Sequence, residues 1–381
     1  MSAGRNTLLV VAFQLFTFLF IAAAWGASSP DICGASYDAT CEATCAPACT
    51  GPSKPAAPSK QADCCDFPDL RNLGSGPCDW ECGELADIFR GYTWRADASA
   101  LILHRASPGT RIVLSQPTTG ADLFDASRLG FPFAAGPRAS LIGLDCQGWG
   151  FEVNYFGIDG WSTTRDLPNL GLQTATGNLA IDGIEAPRSL TTAHFESIAR
   201  LYSSESNFRC PLFGDISFLA GFRWVELTDR YFASGASATT RNTVSEVIWT
   251  HNDMYGFQLG ADGTIAKQAD CWKINGFVKA GAFLNNAYEG ASLSDVGGLG
   301  VQSANGSNDV GSFFGEAGIT GTLQITKHLS ANAGYQVMFI DNVAQPVNQI
   351  SGLNLANSTA VVDTSAGLFY HGASVGLELD W

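Results

Sequence analysis

The chain has 381 residues, of which 46% are hydrophobic and only 15% charged, and its formal net charge is −15. Acidity on that scale argues against a nucleic-acid partner, and so low a charge content is unusual for a soluble protein of this length. Forty-two glycines, three methionines and 11% aromatic residues suit many bent strands rather than helices.

The N-terminus reads as a secretory signal. Arg5 supplies a positive start, Leu8 to Ala24 an apolar run of about 17 residues, and Ala24 and Gly26 the small residues that predict cleavage near Gly26. The run sits at the low end of what a transmembrane helix needs, and no later apolar run is long enough for one. Cys33 follows Pro30-Asp31-Ile32, which is no lipobox.

Residues 27–88 form a second region, acidic and rich in Cys and Pro and expected in the periplasm. Between Asp31 and Phe89 ten acids face three bases. Eight of the eleven cysteines lie here: Cys33, Cys41, Cys45, Cys49, Cys64, Cys65, Cys78 and Cys82. In an exported chain they are disulfide candidates, as are the later Cys146, Cys210 and Cys271. Eleven is odd, so one thiol is left over or pairs between chains. The spacings Cys41-x-x-x-Cys45-x-x-x-Cys49 and Cys78-x-x-x-Cys82 would also suit a metal, but the segment has no His. We assign no metal and no other cofactor.

From residue 89 to 381 the dominant signal is alternation with period two. It is cleanest over Tyr255–Ile265, Trp272–Leu284, Phe313–Ile325, Leu329–Phe339 and Gly367–Trp381, where one face is apolar and uncharged and the other rich in Gly, Asn, Gln, Ser and Thr. Five further strands are expected at about Gly91–Leu103, Arg138–Asp145, Gly150–Gly160, Ala193–Ser203 and Asp215–Glu226. Segments of this length suit tilted strands that cross a bilayer. Short links near Gln147–Gly148, Glu205–Gly214, Ala266–Cys271 and Thr326–His328 alternate with long ones near 105–137, 161–192, 227–252, 288–309 and 340–366. Short periplasmic turns and long extracellular loops follow that rule. The predicted fold is therefore all-β: an antiparallel up-and-down transmembrane barrel of about ten strands, within a range of eight to twelve, behind an irregular Cys-rich segment. Its partners are the outer-membrane lipid bilayer and the barrel-assembly machinery. The latter would read the terminal pattern Ala373, Val375, Leu377, Leu379, Trp381. Cys146, Cys210 and Cys271 all map to the short-turn end, where they could bridge turns or tether the N-terminal segment.

Several stretches resemble the planctomycetal putative beta-barrel porin family, the seventh of its series. They are Arg90-Gly91-Tyr92-Thr93-Trp94-Arg95-Ala96-Asp97, Phe151-Glu152-Val153-Asn154-Tyr155-Phe156-Gly157, Tyr202-Ser203-Ser204-Glu205-Ser206-Asn207 and Leu219-Ala220-Gly221-Phe222-Arg223-Trp224. Asn252-Asp253-Met254-Tyr255-Gly256-Phe257-Gln258-Leu259-Gly260 and Leu368-Phe369-Tyr370-His371-Gly372-Ala373 continue the series. The resemblance implies an outer-membrane barrel in a bacterium of that phylum. It carries over no catalytic residue and does not extend to the Cys-rich segment.

The strand phases place Arg95, Asp97, Glu152, Glu196, Arg200, Arg223, Asp262, Lys273, Lys279, Glu316, Glu378 and Asp380 along the lumen. Around eight strands a barrel interior is filled by side chains, whereas 16–18 strands leave a channel. Two readings stay open at ten: a narrow, slightly cation-preferring pore for small solutes, or a plugged barrel that acts through its extracellular loops. No nucleotide, zinc-protease or serine-elbow motif occurs, so an enzyme is not expected. His251, Asp253 and His371, near the outer ends of two strands, give a protease only a distant third place.

Overall fold

The computed structural model describes residues 92–107, 112–115, 122–145, 147–167, 190–237, 243–268, 271–295, 300–354 and 357–381. The predicted signal sequence, the Cys-rich segment and Cys146 lie outside them. Alternation becomes strand throughout: β1 (Thr93–Arg105), β2 (Ile112–Ser115), β3 (Asp122–Asp125), β4 (Ala134–Leu144), β5 (Gly150–Leu167), β6 (Leu190–Phe213), β7 (Ile216–Ser237), β8 (Thr243–Gln268), β9 (Trp272–Asp295), β10 (Gly300–Gln324), β11 (Leu329–Val343), β12 (Leu353–Asn354), β13 (Thr359–Ala360) and β14 (Ala366–Asp380). One helical turn, α1 (Pro346–Gln349), interrupts them.

Ten of these strands, β1, β4 to β11 and β14, pair antiparallel with their neighbours and close on themselves. Closure runs through β1 and β14, from Arg95 opposite Asp380 to Arg105 opposite Tyr370, while β10 and β11 pair over Phe313–Gln324. A sheet in hydrocarbon must close, because an open edge would leave backbone N–H and C=O groups unpaired. At the seam a Cβ built on Gly372 would lie 1.9 Å from the Ile102 carbonyl oxygen, so only glycine fits there.

The outward wall carries no charged residue over the ten-residue stretches that face lipid on β8 to β11 and β14. Phe257, Leu259, Val278, Ile319, Val375 and Leu377 form an exposed apolar band. Trp149, Phe213, Trp272 and Trp381 edge it at the short-turn end, and Tyr255, Tyr288, Phe339 and Phe369 at the other. Such aromatic girdles mark the two interfaces of a membrane barrel.

Strands β6 to β10 are 22 to 26 residues long, whereas about 9–11 tilted residues cross a bilayer. Their outer halves therefore stand clear of the membrane as a β-collar. This corrects the expectation of long loops at 227–252 and 288–309: residues 227–237, 243–252, 288–295 and 300–309 are instead paired strand extensions of β7, β8, β9 and β10. Above the membrane both wall faces meet water or a packed interior, so the lipid-style alternation that marks a spanning strand disappears.

Replacing Gly372 by Val drives a side chain into the β1–β14 seam. The expected outcome is a large loss of the fast-migrating form on unboiled gels, compared with wild type. A normal fraction of that form would show that the seam tolerates the clash.

Candidate functional site: the filled lumen

Inward side chains change character along the barrel axis. At the periplasmic end Arg95 donates to Asp380 (2.8 Å) and lies 3.4 Å from Glu378, which also accepts from Lys273 at 3.0 Å. Just above, a cavity of about 150 Å³ is lined by Asp97, Arg138, Asn275, Thr322 and Asn332 among others. Asp97 accepts from Asn332, and Arg138 donates to Gln336 across the lumen at 2.7 Å.

The next layer is a continuous ion-pair network. Arg209 contacts Glu152 and donates two bonds to Asp262 at 2.7 and 2.6 Å. Lys279 donates to Glu152 (2.8 Å) and to Glu205. Glu205 also accepts from Gln258 (2.6 Å) and lies 3.4 Å from Arg223. Arg223 in turn donates to Glu316 (2.7 Å) and to the Ser203 hydroxyl (2.8 Å). Glu152, Glu205, Arg209, Arg223, Lys279 and Glu316 are all buried. A charge out of water is tolerated only when paired and hydrogen-bonded, and here six strands supply partners to one another.

Directly above, the Arg223 guanidinium lies 3.9 Å over the Phe314 ring. That contact begins an apolar layer: Leu101, Phe156, Val225, Met254, Phe283 and Met338, then Leu103, Ile158, Trp161, Leu201, Leu227 and Ile340. None of these exceeds 5% exposure, and most are at zero. Buried Arg105 and Asp229 pair above them, one of their two bonds being 2.7 Å. Higher still, Phe124 stacks on Phe195 at 4.3 Å, and Ala126, Leu129 and Val347 of α1 pack inside the collar with Tyr231, Ile248 and Leu293. A water-filled bore would leave these inner faces wetted, so the lumen is stoppered above the ion-pair network.

The structure brings ten of the twelve expected lumen charges together in this network and at its periplasmic mouth. Arg200 and Glu196 depart from the expectation. Arg200 is exposed on the outer wall, 3.6 Å from Asp159, and Glu196 points the same way, opposite Phe232. On β6 the apolar phase Phe195, Ala199, Leu201 turns inward, since this stretch stands above the membrane and packs the stopper. Glu205 and Arg209 are absent from the expected lumen set, because the sequence predicts a short link over Glu205–Gly214 where β6 in fact continues to Phe213. Their signal was there: Glu205, Asn207 and Arg209 alternate with Ser206, Phe208 and Cys210. Cys210, half-buried on β6, carries a free thiol and is not joined to Cys271. His251 and Asp253 meet at 3.2 Å on the outer face of β8, whereas His371 bonds the Tyr335 hydroxyl at 2.7 Å. The two histidines therefore belong to different contacts.

Two carboxyl groups in the collar have no hydrogen-bond partner among the described residues. Glu246 and Glu289 are buried, and none of their four oxygens has a hydrogen bond. Burial pushes Glu246 up to about 8, and burial together with nearby Asp363 pushes Glu289 up to about 7.

The family model described as Putative beta barrel porin-7 matches residues 96–381, about three quarters of the chain. No curated protein compared with the chain is similar to it. Similar solved structures include the outer membrane protease OmpT from Escherichia coli, at 10% identity over 77% of this chain and 97% of that one, TM-score 0.42. Neisserial surface protein A follows at 11%, 76%, 97% and 0.23, and the Pseudomonas putida toluene transporter TodX at 7%, 76%, 89% and 0.22. Scores this low bear on neither activity nor substrate, and the family match carries the assignment.

Two outcomes are expected. Lys279→Met leaves Glu152 and Glu205 facing each other without their shared cation, a loss of about 3–5 kcal/mol on the usual scale for a broken buried pair. Urea titration in lipid vesicles measures it, and Lys279→Met with Glu205→Gln recovers part of the loss. Second, carboxyls with raised folded-state pKa stabilise fully below about 4.5, and that contribution is lost as pH rises through about 8. The unfolding midpoint therefore falls between pH 5 and pH 9 in cation-free buffer, and Glu246→Gln flattens the upper part of the fall. A midpoint flat across that range contradicts the assignment.

Proposed function

The chain belongs to the Putative beta barrel porin-7 family, and from that premise we propose that it is a porin-like barrel that is shut at rest and passes small solutes only when its stopper parts. It is an outer-membrane β-barrel, and the lipid bilayer is its surroundings. The observation that carries the proposal is the stack of two unlike layers inside one lumen. The ion-pair network could admit water by exchanging partners, since its groups are already polar. The apolar layer above cannot, and it sets the resting state. Solutes entering from the periplasmic side would meet both acids and bases in the cavity beneath, which favours small polar or zwitterionic molecules over large ones.

A second reading has its own support. The collar of β6 to β10 projects well beyond the apolar band, and it is braced from within by the stopper. A stable, closed scaffold of that kind would serve to present its outer surface. On either reading no enzymatic role is proposed. Export by cleavage near Gly26 and recognition of the Ala373-to-Trp381 pattern by the assembly machinery complete the proposal. N-terminal sequencing of the mature protein tests the first of these.

Planar-bilayer recording separates the two readings. A gated pore gives a quiet wild-type barrel with rare, brief steps, and sustained steps once Phe283, Phe314 and Met338 are all replaced by Ala. A wild type and a folded triple variant that are both silent favour the scaffold. Sustained wild-type conductance of general-porin size overturns the closed resting state.

A further inference from the structure

Between β11 and β14, residues 344–354 and 357–365 lie inside the collar as a strap. Its start is pinned to the wall: Asn252 donates to the Ala344 carbonyl (3.0 Å) and accepts from the Ala344 N–H (2.8 Å). Asn285 donates to the Asn342 carbonyl at 3.0 Å. Further along, Gln349 bonds both backbone groups of Asp363, at 2.7 and 2.8 Å. Strand β13 runs beside β10, Asn305 opposite Thr359. Gly306 makes room for it, since a Cβ there would lie 2.6 Å from the Ala360 oxygen. Val362 packs with Ala287 and Ala344.

Beside this strap the wall presents oxygen acceptors that no described residue satisfies. Glu289, on β9, lies opposite Gly306 of β10 and opposite Thr250 of β8. Both Glu289 carboxyl oxygens and the Thr250 hydroxyl lack a partner, and the two residues are 1% and 0% exposed. The charged groups around them are acidic or spoken for. Asp363 of the strap acts on Glu289 as a like charge, Asp229 of β7 is taken up by Arg105, and Glu246 lies further along β8 with no partner of its own. Among the described residues no free base faces Glu289. Three unsatisfied oxygens from two wall strands, with Asp363 next along the strap from Val362, which packs on Ala287 two residues from Glu289, offer the oxygen ligands that a divalent cation such as calcium takes; one Asp363 oxygen also accepts from the Ser365 N–H at 2.8 Å.

We propose that Glu289 and Thr250 of the wall, together with Asp363 of the strap, bind a divalent cation of the calcium class that clips the strap into the barrel mouth. The cation replaces a repulsion between two carboxylates with a shared attraction. A proton on Glu289 relieves the same repulsion without joining the two elements. Cation binding therefore competes with protonation and strengthens as pH rises. The clip does not depend on whether solutes pass through the barrel, so its test stands apart from the conductance recording.

The test is amide hydrogen exchange of residues 344–365 in the full-length folded protein in lipid vesicles, with calcium chloride, with magnesium chloride and with chelator. At pH 8, calcium at ten times its dissociation constant slows exchange of the strap by about tenfold, and at pH 5 the effect shrinks. Glu289→Gln and Asp363→Asn each abolish the calcium effect. Thr250→Val, which keeps size and both charges, weakens it, so a variant that fails to fold does not end the test. Strap exchange that follows pH alone and ignores calcium at every pH overturns the proposal in favour of a proton switch. A calcium effect that survives both Glu289→Gln and Asp363→Asn overturns it in favour of a site elsewhere.

Discussion

A charge inside a narrow barrel has nowhere to find water, so it must find a partner, and this constraint orders the rest of the molecule. Ten strands enclose too little space to hydrate Arg223, Lys279 and Arg209 separately. Each sits instead between carboxylates that come from other strands. The network thereby ties the wall together across its width, and the side-chain register of every contributing strand becomes part of one solution. Slipping any of these strands by one residue would send its charge to lipid and its apolar side chain to the lumen.

The network also sets what lies on either side of it. Towards the periplasm the polar lining continues and leaves a small cavity. Towards the outside the Arg223 guanidinium meets Phe314, and from there the interior is packed like the core of a soluble protein. The extracellular half thus behaves as a water-surrounded β-domain stabilised by burial, mounted on a membrane barrel stabilised by closure and lipid contact. The two halves share strands but follow opposite rules for which face is apolar.

That reversal explains what was legible in the sequence. β8 to β11 and β14 were readable because their lipid faces carry uninterrupted apolar residues, and the ten-strand topology followed from alternating short and long links. The lumen charges on those strands were readable by parity. The same parity failed at Glu196 and Arg200, since Phe195, Ala199 and Leu201 are apolar in order to pack inward rather than to meet lipid. The strap, and the collar apart from the Ala193–Ser203 stretch of β6, could not be read. Their strands pair through backbone groups, which leave no side-chain signature, and Asn252 and Asn285 look like any other polar lumen residues until their bonds to residues 342–344 are seen.

A dry apolar layer separates the polar cavity at the short-turn end from the outside. Introduced cysteines probe it most directly. In protein reconstituted in vesicles, labelling by a small water-soluble thiol reagent is followed by peptide mass at Asn275→Cys in the cavity and at Leu227→Cys in the apolar layer. Ready labelling is expected at position 275 and none at position 227 from either side of the membrane. Equal labelling at the two positions would contradict it.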